Sequence, residues 1–141
     1  MFVIIMGCGR VGARLARMLT HAGHEVTILD VNPGSFSRLG SDFTGTTMLG
    51  NGIDQAVLRR AGIERADAFV AATQGDNRNI MASQIAQHVF GVKTVVTRIY
   101  DPIRADTFTA LGLHAISPTV LGAKKFYEEL TGQSADKLVG V

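Results

Sequence analysis

Gly7-x-Gly9-x-x-Gly12 stands between an apolar run, residues 2–6, and a stretch with helical spacing. Glycine at these intervals suits a phosphate. Gly7 permits a tight turn, Gly9 lets a pyrophosphate reach the backbone, and Gly12 lets the helix pack close to the sheet. The free N–H groups at the start of that helix then face the phosphate oxygens. Asp30 lies 18 residues after Gly12, at the end of the next apolar run. That is close to the ~20 expected of an acid that accepts from ribose hydroxyls. A carboxylate there repels a 2′-phosphate, which argues against NADP. It does not separate NAD from ATP, ADP or AMP, which share the adenosine ribose. Arg10, between Gly9 and Gly12, puts a guanidinium where phosphate oxygens can bind it bidentately. Without an anion, a cation at a helix start opposes the helix dipole.

Later strand ends add candidates. Gly50-Asn51-Gly52 is either an ordinary Asn-Gly turn or a loop bordering an adenine ring, with the Asn51 carbonyl accepting from the adenine amino group. Thr73-Gln74-Gly75-Asp76 has small residues that let a ligand lie over a strand end. Asn79 braces either this loop or the core. Arg98 could reach ligand phosphates or a partner subunit, or serve in a structural ion pair.

The elements that must hold these residues follow from apolar patterning. Short apolar runs predict strands over residues 2–6, 25–30, 46–49, 68–72, 94–99 and 114–116. Val11, Leu15, Met18, Leu19 and Ala22 share one helical face that Gly23 ends. Asn32-Pro33-Gly34-Ser35 is a turn opening a short helix through Leu39. Helices are also predicted over 54–61, with Asp54 at its N-terminus, and over 76–90. In the latter Ile80, Met81, Ile85, Ala86 and Val89 share a broad face. Asp101-Pro102 starts a helix to Leu111, and Ser117-Pro118 a last one to about residue 130. From Gln133 the chain reads as a frayed tail or the start of something cut off. The alternation of strand and helix predicts an α/β fold, a parallel sheet covered on both sides.

Composition narrows the function. At 141 residues, 46% hydrophobic and 18% charged, the chain reads as one globular domain. A net charge of +2 gives nucleic acid or anionic membrane little to hold. The one Cys excludes an internal disulfide, and the four His have no ligand spacing, so no metal site is expected. No apolar run reaches the ~18 residues of a membrane span, and no basic segment precedes the apolar N-terminus. A cytoplasmic location without direct membrane insertion is expected.

Several stretches together resemble the RCK (KTN, TrkA-N) domain. They are Gly7-Cys8-Gly9-Arg10-Val11-Gly12, Leu29-Asp30-Val31-Asn32-Pro33, Leu58-Arg59-Arg60-Ala61-Gly62-Ile63-Glu64-Arg65-Ala66-Asp67-Ala68, Asp76-Asn77-Arg78-Asn79, Thr97-Arg98-Ile99-Tyr100-Asp101-Pro102 and Leu111-Gly112-Leu113-His114-Ala115-Ile116-Ser117-Pro118. The resemblance implies a Rossmann-type, doubly wound, six-stranded parallel sheet, and a regulatory role at a K⁺ channel or transporter. The expected ligand is NAD(H) or an adenine nucleotide (ATP, ADP or AMP). The expected partner is an integral-membrane subunit at whose cytoplasmic side the module sits. The expected assembly is a homodimer, extending to rings, through the last helix, where Val120, Leu121, Phe126, Tyr127 and Leu130 are too apolar for a solvated terminus. The resemblance places residues 1–133 in the nucleotide-binding unit, with a crossover helix over about 118–131 and a tail over 134–141. Gly7, Gly9, Arg10, Val11 and Gly12 would hold phosphate and Asp30 the ribose. Asn51 would meet the adenine edge, and Thr73 and Arg98 complete the pocket. Asn32 and Gly52, beside two of these, are counted with them. The family usually has Gly-Asp where this chain has Gly50-Asn51, and its smaller second domain is missing here.

The alternative is an enzyme, the cofactor half of an NAD-dependent oxidoreductase, or a domain reading the NADH/NAD⁺ ratio. A dehydrogenase needs an acid–base group beside the nicotinamide. None is readable, so no enzymatic activity is expected. Cys8 is read first as a small residue filling the turn and second as a redox-sensing thiol whose pKa the adjacent helix start would lower. Lys124 and Lys125 are expected to pair with Glu128 and Glu129 on a solvated face. Phe69, Phe108, Phe126 and the methionines are expected in core or interface.

Overall fold

The structure, a computed structural model, describes residues 1–138; the end of the expected tail, 139–141, lies outside the described residues. The strands are β1 (Phe2–Met6), β2 (Glu25–Asp30), β3 (Thr46–Leu49), β4 (Ala68–Ala71), β5 (Thr94–Arg98) and β6 (His114–Ile116). They form one sheet in the order β3-β2-β1-β4-β5-β6, every pair parallel. The helices are α1 (Arg10–His21), α2 (Gln55–Ala61), α3 (Asp76–Gln84), α4 (Pro102–Ala110) and α5 (Pro118–Thr131). Strand order reverses between β1 and β4, which makes the sheet doubly wound and Rossmann-like.

Every residue of β1 is buried, because helices cover both faces of the sheet. Alternation along it feeds two cores. Phe2, Ile4 and Met6 join Leu58, Phe69 and Ala82 on one side. Val3 and Ile5 join Ala13, Ala16, Ile28 and Leu39 on the other.

The inward face of α1 overlaps the expected one only in Leu15 and Leu19, which pack half-buried against the core. Gly12, Ala13 and Ala16 are its buried residues. Val11 and Met18 are 46% and 62% exposed, and Ala22 is exposed. The helix lies so close to the turn before it that a Cβ on Gly12 would stand 1.8 Å from the Gly7 carbonyl oxygen. At that distance only hydrogen or methyl side chains fit directly beneath the helix; Leu15 and Leu19 pack at the margin of the core, while Val11 and Met18 turn away.

The helix expected over 76–90 is α-helical only to Gln84 and continues as a π-helix, Ile85–Val89. Asn79, Ile80, Ala82 and Ser83 face inward on α3, while Met81 and Val89 are exposed. The reason lies on β5, whose Thr97 is fully buried. Its hydroxyl donates to Ser83 Oγ at 2.7 Å, so the helix supplies a polar partner where the apolar pattern pointed elsewhere.

No residue of α5 is buried, and Phe126 and Leu130 are 74% and 84% exposed. Lys125 pairs with Glu129 at 2.6 Å as expected. Lys124 instead reaches Asp136 at 3.8 Å, because Glu128 accepts from the Ala135 amide and draws a short turn, Ala135–Lys137, back onto the helix.

Gly12→Ala is expected to lower stability by about 3 kcal/mol or more, through overpacking against backbone that cannot yield. Gly9→Ala, where an added Cβ meets nothing within 4 Å, is expected to change it by less than about 1 kcal/mol. Urea denaturation of both variants checks the contrast.

Candidate functional site

A crevice of about 590 Å³ opens over the carboxyl ends of the strands, at the reversal between β1 and β4. Open α/β sheets bind ligands at this position. Gly7, Gly9, Arg10, Val11, Asp30, Asn32, Asn51, Gly52, Thr73 and Arg98 all line it. Gly12 does not; it sits behind, setting how close α1 comes.

Gly7 makes the turn at φ +107°, where a Cβ would come within 2.8 Å of the Ala72 backbone. Gly9 is the N-cap of α1 and offers no side-chain cap, so the first-turn N–H groups remain for another acceptor. Asp30 does something the sequence did not disclose. Its Oδ2 accepts from the Cys8 amide at 2.8 Å and its Oδ1 from the Asn32 amide at 2.8 Å. The carboxylate thus ties the glycine loop to the end of β2, and each oxygen retains a lone pair.

The two asparagines are turned to their own loops. Asn32 Oδ1 accepts from Gly34 N at 3.0 Å and caps the short helix Pro33–Leu39. Asn51 Oδ1 accepts from Ile53 N at 3.2 Å, which leaves it one lone pair for a ligand. Gly52 is dictated by Met6 on the crevice floor, since a Cβ would lie 2.2 Å from Met6 Sδ.

The opposite wall hangs on Asn79, which is fully buried. Its Oδ1 accepts from Thr73 N at 3.0 Å and from Thr73 Oγ1 at 2.6 Å. Its Nδ2 donates to Thr73 O at 2.9 Å and Arg98 O at 3.0 Å. One amide therefore joins the ends of β4 and β5. Arg98 lies over the Tyr100 ring, 4.1 Å from its centroid, and Nη2 donates to the Tyr100 hydroxyl. Burial pushes the Arg98 guanidinium below its ordinary pKa, with Asp76 acting in the opposite sense. Its Nε is buried without a hydrogen-bond partner. No carboxylate pairs with Arg98 among the described residues, so of its sequence-level alternatives the structural ion pair is not formed.

Among the lining side chains missed by sequence reasoning are the ionisable Arg38, Arg78 and Tyr100. Arg78 sits in the first turn of α3, as Arg10 does in that of α1. The dipole argument applied to Arg10 could have found it. Arg10, Arg38, Arg78 and Arg98 thus share the crevice lining with one carboxylate, Asp30. Cys8 is fully buried, and its thiol donates to Ser35 O at 3.4 Å. Contrary to the lowered value of the redox-sensing reading, its pKa is raised to about 11, by burial first and by Asp30 second. Among the described residues there is no cluster that could hold a metal ion, and no helix is long and apolar enough to cross a membrane.

The TrkA-N domain family matches residues 3–118. The chain belongs to the TrkA-N family. The Trk system potassium uptake protein TrkA of Streptomyces coelicolor is 46% identical over 138 residues, covering 98% of this chain and 62% of that protein. A TrkA homolog of Pyrococcus abyssi is 39% identical over 108 residues, covering 77% of this chain and 48% of that protein. The chain thus spans about half to three-fifths of these curated relatives. In fold it matches the AMP-bound Kef CTD of Shewanella denitrificans (TM-score 0.77, 24% identity, 92% of this chain and 79% of that one). It also matches the GsuK channel bound to NAD (TM-score 0.78, 23% identity, 92% of this chain and 23% of that one). Within this TrkA-N fold the glycine loop, the acid after β2 and the loop after β4 converge on one crevice.

Asn79→Ala is expected to cost about 3 kcal/mol or more in urea, because it strands Thr73 N and Arg98 O in the interior. Cys8 gives a pH effect. A thiol raised from 9.0 to about 11 on folding keeps its proton longer in the native state than in the unfolded chain. Its contribution to stability is present below the lower value and is lost as pH rises between the two. Urea midpoints at about pH 8 and about pH 10 should fall more in the parent than in Cys8→Ala.

Proposed function

We propose that this chain is the nucleotide-binding regulatory module of a potassium transport system, and that its crevice takes an adenine nucleotide (ATP, ADP or AMP) or NAD(H). One observation carries the reading: four arginines and a single carboxylate line one crevice beside an uncapped helix start. That charge arrangement calls for a polyanion with a ribose at one end. The residues fit such a group. The open backbone at Gly9 and the α1 N–H groups would meet phosphate, and the free lone pairs of Asp30 would meet ribose hydroxyls. The unpartnered Arg98 Nε would find an acceptor. Support also comes from the family, whose relatives are named as potassium uptake proteins, and from neighbours of the same fold that hold AMP or NAD.

In this reading residues 1–133 form the nucleotide-binding unit, and 134–141 are its tail. The partner is an integral-membrane K⁺ channel or transporter subunit, with the module at its cytoplasmic side. Two modules pair through the exposed apolar side of α5. The hydride-transfer alternative draws no support from the crevice. Its ionisable lining is four arginines, a carboxylate already accepting two backbone amides, and a tyrosine bound to Arg98.

Regulation requires that two ligands favour two conformations unequally; equal affinity would shift nothing. Arg10, exposed in the first turn of α1, is placed to read the terminal phosphate. Arg10→Ala should narrow the ATP-over-ADP affinity difference by about tenfold, the worth of a charge-assisted contact of ~1.4 kcal/mol, and leave AMP binding nearly unchanged. Calorimetry with the three nucleotides measures this. Equal losses for all three would remove the role given to Arg10, and flat heats for all three and for NAD⁺ would remove the nucleotide reading.

A further inference from the structure

Tyr100 forms part of the crevice wall, yet its backbone is held from outside the crevice. Asp76 Oδ1 accepts from Tyr100 N at 2.8 Å, and Oδ2 accepts from Asp101 N at 3.2 Å. On the other side of the same peptide, the Ser117 hydroxyl donates to the Tyr100 carbonyl at 3.2 Å. Ser117 is also the N-cap of α5. Its Oγ accepts from Val120 N at 3.4 Å, and its carbonyl accepts from Leu121 N at 3.0 Å. The residue is buried, although α5 itself buries nothing. One hydroxyl therefore has two jobs with separate chemistry. As acceptor it caps a helix; as donor it fastens that helix to the crevice wall.

The wall is built to respond to an anion. Arg98 is stacked on Tyr100 and bonded to its hydroxyl while its own Nε lacks a partner. An anion drawing the guanidinium away would take both contacts from the tyrosine ring at once. The Tyr100 peptide would shift, and its carbonyl is where Ser117 holds.

We propose that Ser117 is a positioning residue that couples the crevice to α5, its donated hydrogen bond to the Tyr100 carbonyl passing ligand-driven movement of the Arg98–Tyr100 wall to the start of the helix. The proposal rests on the nucleotide reading above. The bistable element is the hydroxyl, which either donates to Tyr100 or turns away.

The chain has two tyrosines, Tyr100 in the crevice and Tyr127 on α5. Incorporating 3-fluorotyrosine gives one fluorine resonance at each end of the coupling, assigned with Tyr127→Phe. The full chain is titrated with ATP, ADP, AMP and NAD⁺, and the tightest ligand by calorimetry is carried forward. Both resonances should shift in the parent. In Ser117→Asp the cap acceptor remains but the donor is gone. There the Tyr100 resonance should still shift and the Tyr127 resonance stay, with affinity within about two-fold of the parent. Ser117→Gly, a tolerated cap with no donor, should behave the same way if the aspartate variant folds poorly. Ser117→Thr, which keeps both functions, should restore the Tyr127 response. A role in capping alone predicts an undiminished response in Ser117→Asp, and that result would overturn the coupling. A parent in which only Tyr100 responds would overturn it too, leaving nucleotide binding intact. If no nucleotide gives heat or moves Tyr100, the nucleotide reading falls and this coupling with it.

Discussion

Beneath the start of α1 there is room for a hydrogen atom and nothing larger. A carbon on Gly12 would overlap the Gly7 carbonyl oxygen, and the rest of the site follows from this close approach. It brings the first turn of the helix directly behind the exit of the central strand. It requires Ala13 and Ala16 to follow on the buried face, and it turns Val11 and Met18 toward solvent. It also leaves Gly9, with an open side, as the residue from which the helix begins. A helix set further from the sheet would accept larger core residues, but its N–H groups would no longer converge on the reversal point between β1 and β4.

Charge around that point is uneven in a way that folding alone does not require. Arg10 and Arg78 stand at helix starts, where the dipole disfavours a cation. Arg98 is buried enough to lose basicity and keeps one nitrogen unpartnered. These unfavourable placements are offset if an anion occupies the crevice. Asp30 and Asp76 are the counterweights, and both are engaged with backbone. Asp30 fixes the glycine loop to β2, and Asp76 fixes the loop after β5 to α3. The acids set geometry, Arg38 donates to the Cys8 carbonyl and Arg98 to the Tyr100 hydroxyl, and none of the four lining arginines is paired with a carboxylate among the described residues.

The far half of the molecule is tied down differently. β5 is joined to the centre by its ladder with β4 and by buried polar groups, Asn79 between two strand ends and Thr97 against Ser83, and β6 is held through its ladder with β5. α5 is attached at its beginning, through Ser117, while the short turn that follows it folds back onto Glu128 of the helix itself. A helix fastened at its start, with Phe126 and Leu130 open to solvent, keeps an apolar surface that the sheet does not need for itself.

The sequence alone determined what is local. Continuous apolar runs identified six strands, and three glycines with an acid at the end of the next strand marked the residues that meet at the crevice or set its depth. Turn residues placed the helix starts at Asp54, Asp101 and Ser117, all of which cap as their types predict. Periodicity found part of the inward faces, Leu15 and Leu19 on α1 and Ile80, Ile85 and Ala86 on the helix after β4, but it added Val11, Met18, Met81 and Val89 and missed Gly12, Asn79 and Ser83, because it ranks residues by hydrophobicity. The actual faces were chosen by distance to the sheet and by a buried threonine. Tertiary structure alone decided that Asp30 holds a loop 22 residues away, and that Asn79 binds a strand end 19 residues away. It also decided that Cys8 is sealed rather than activated. Such contacts depend on which chain segments the parallel sheet brings side by side, and no window of neighbouring residues contains that information.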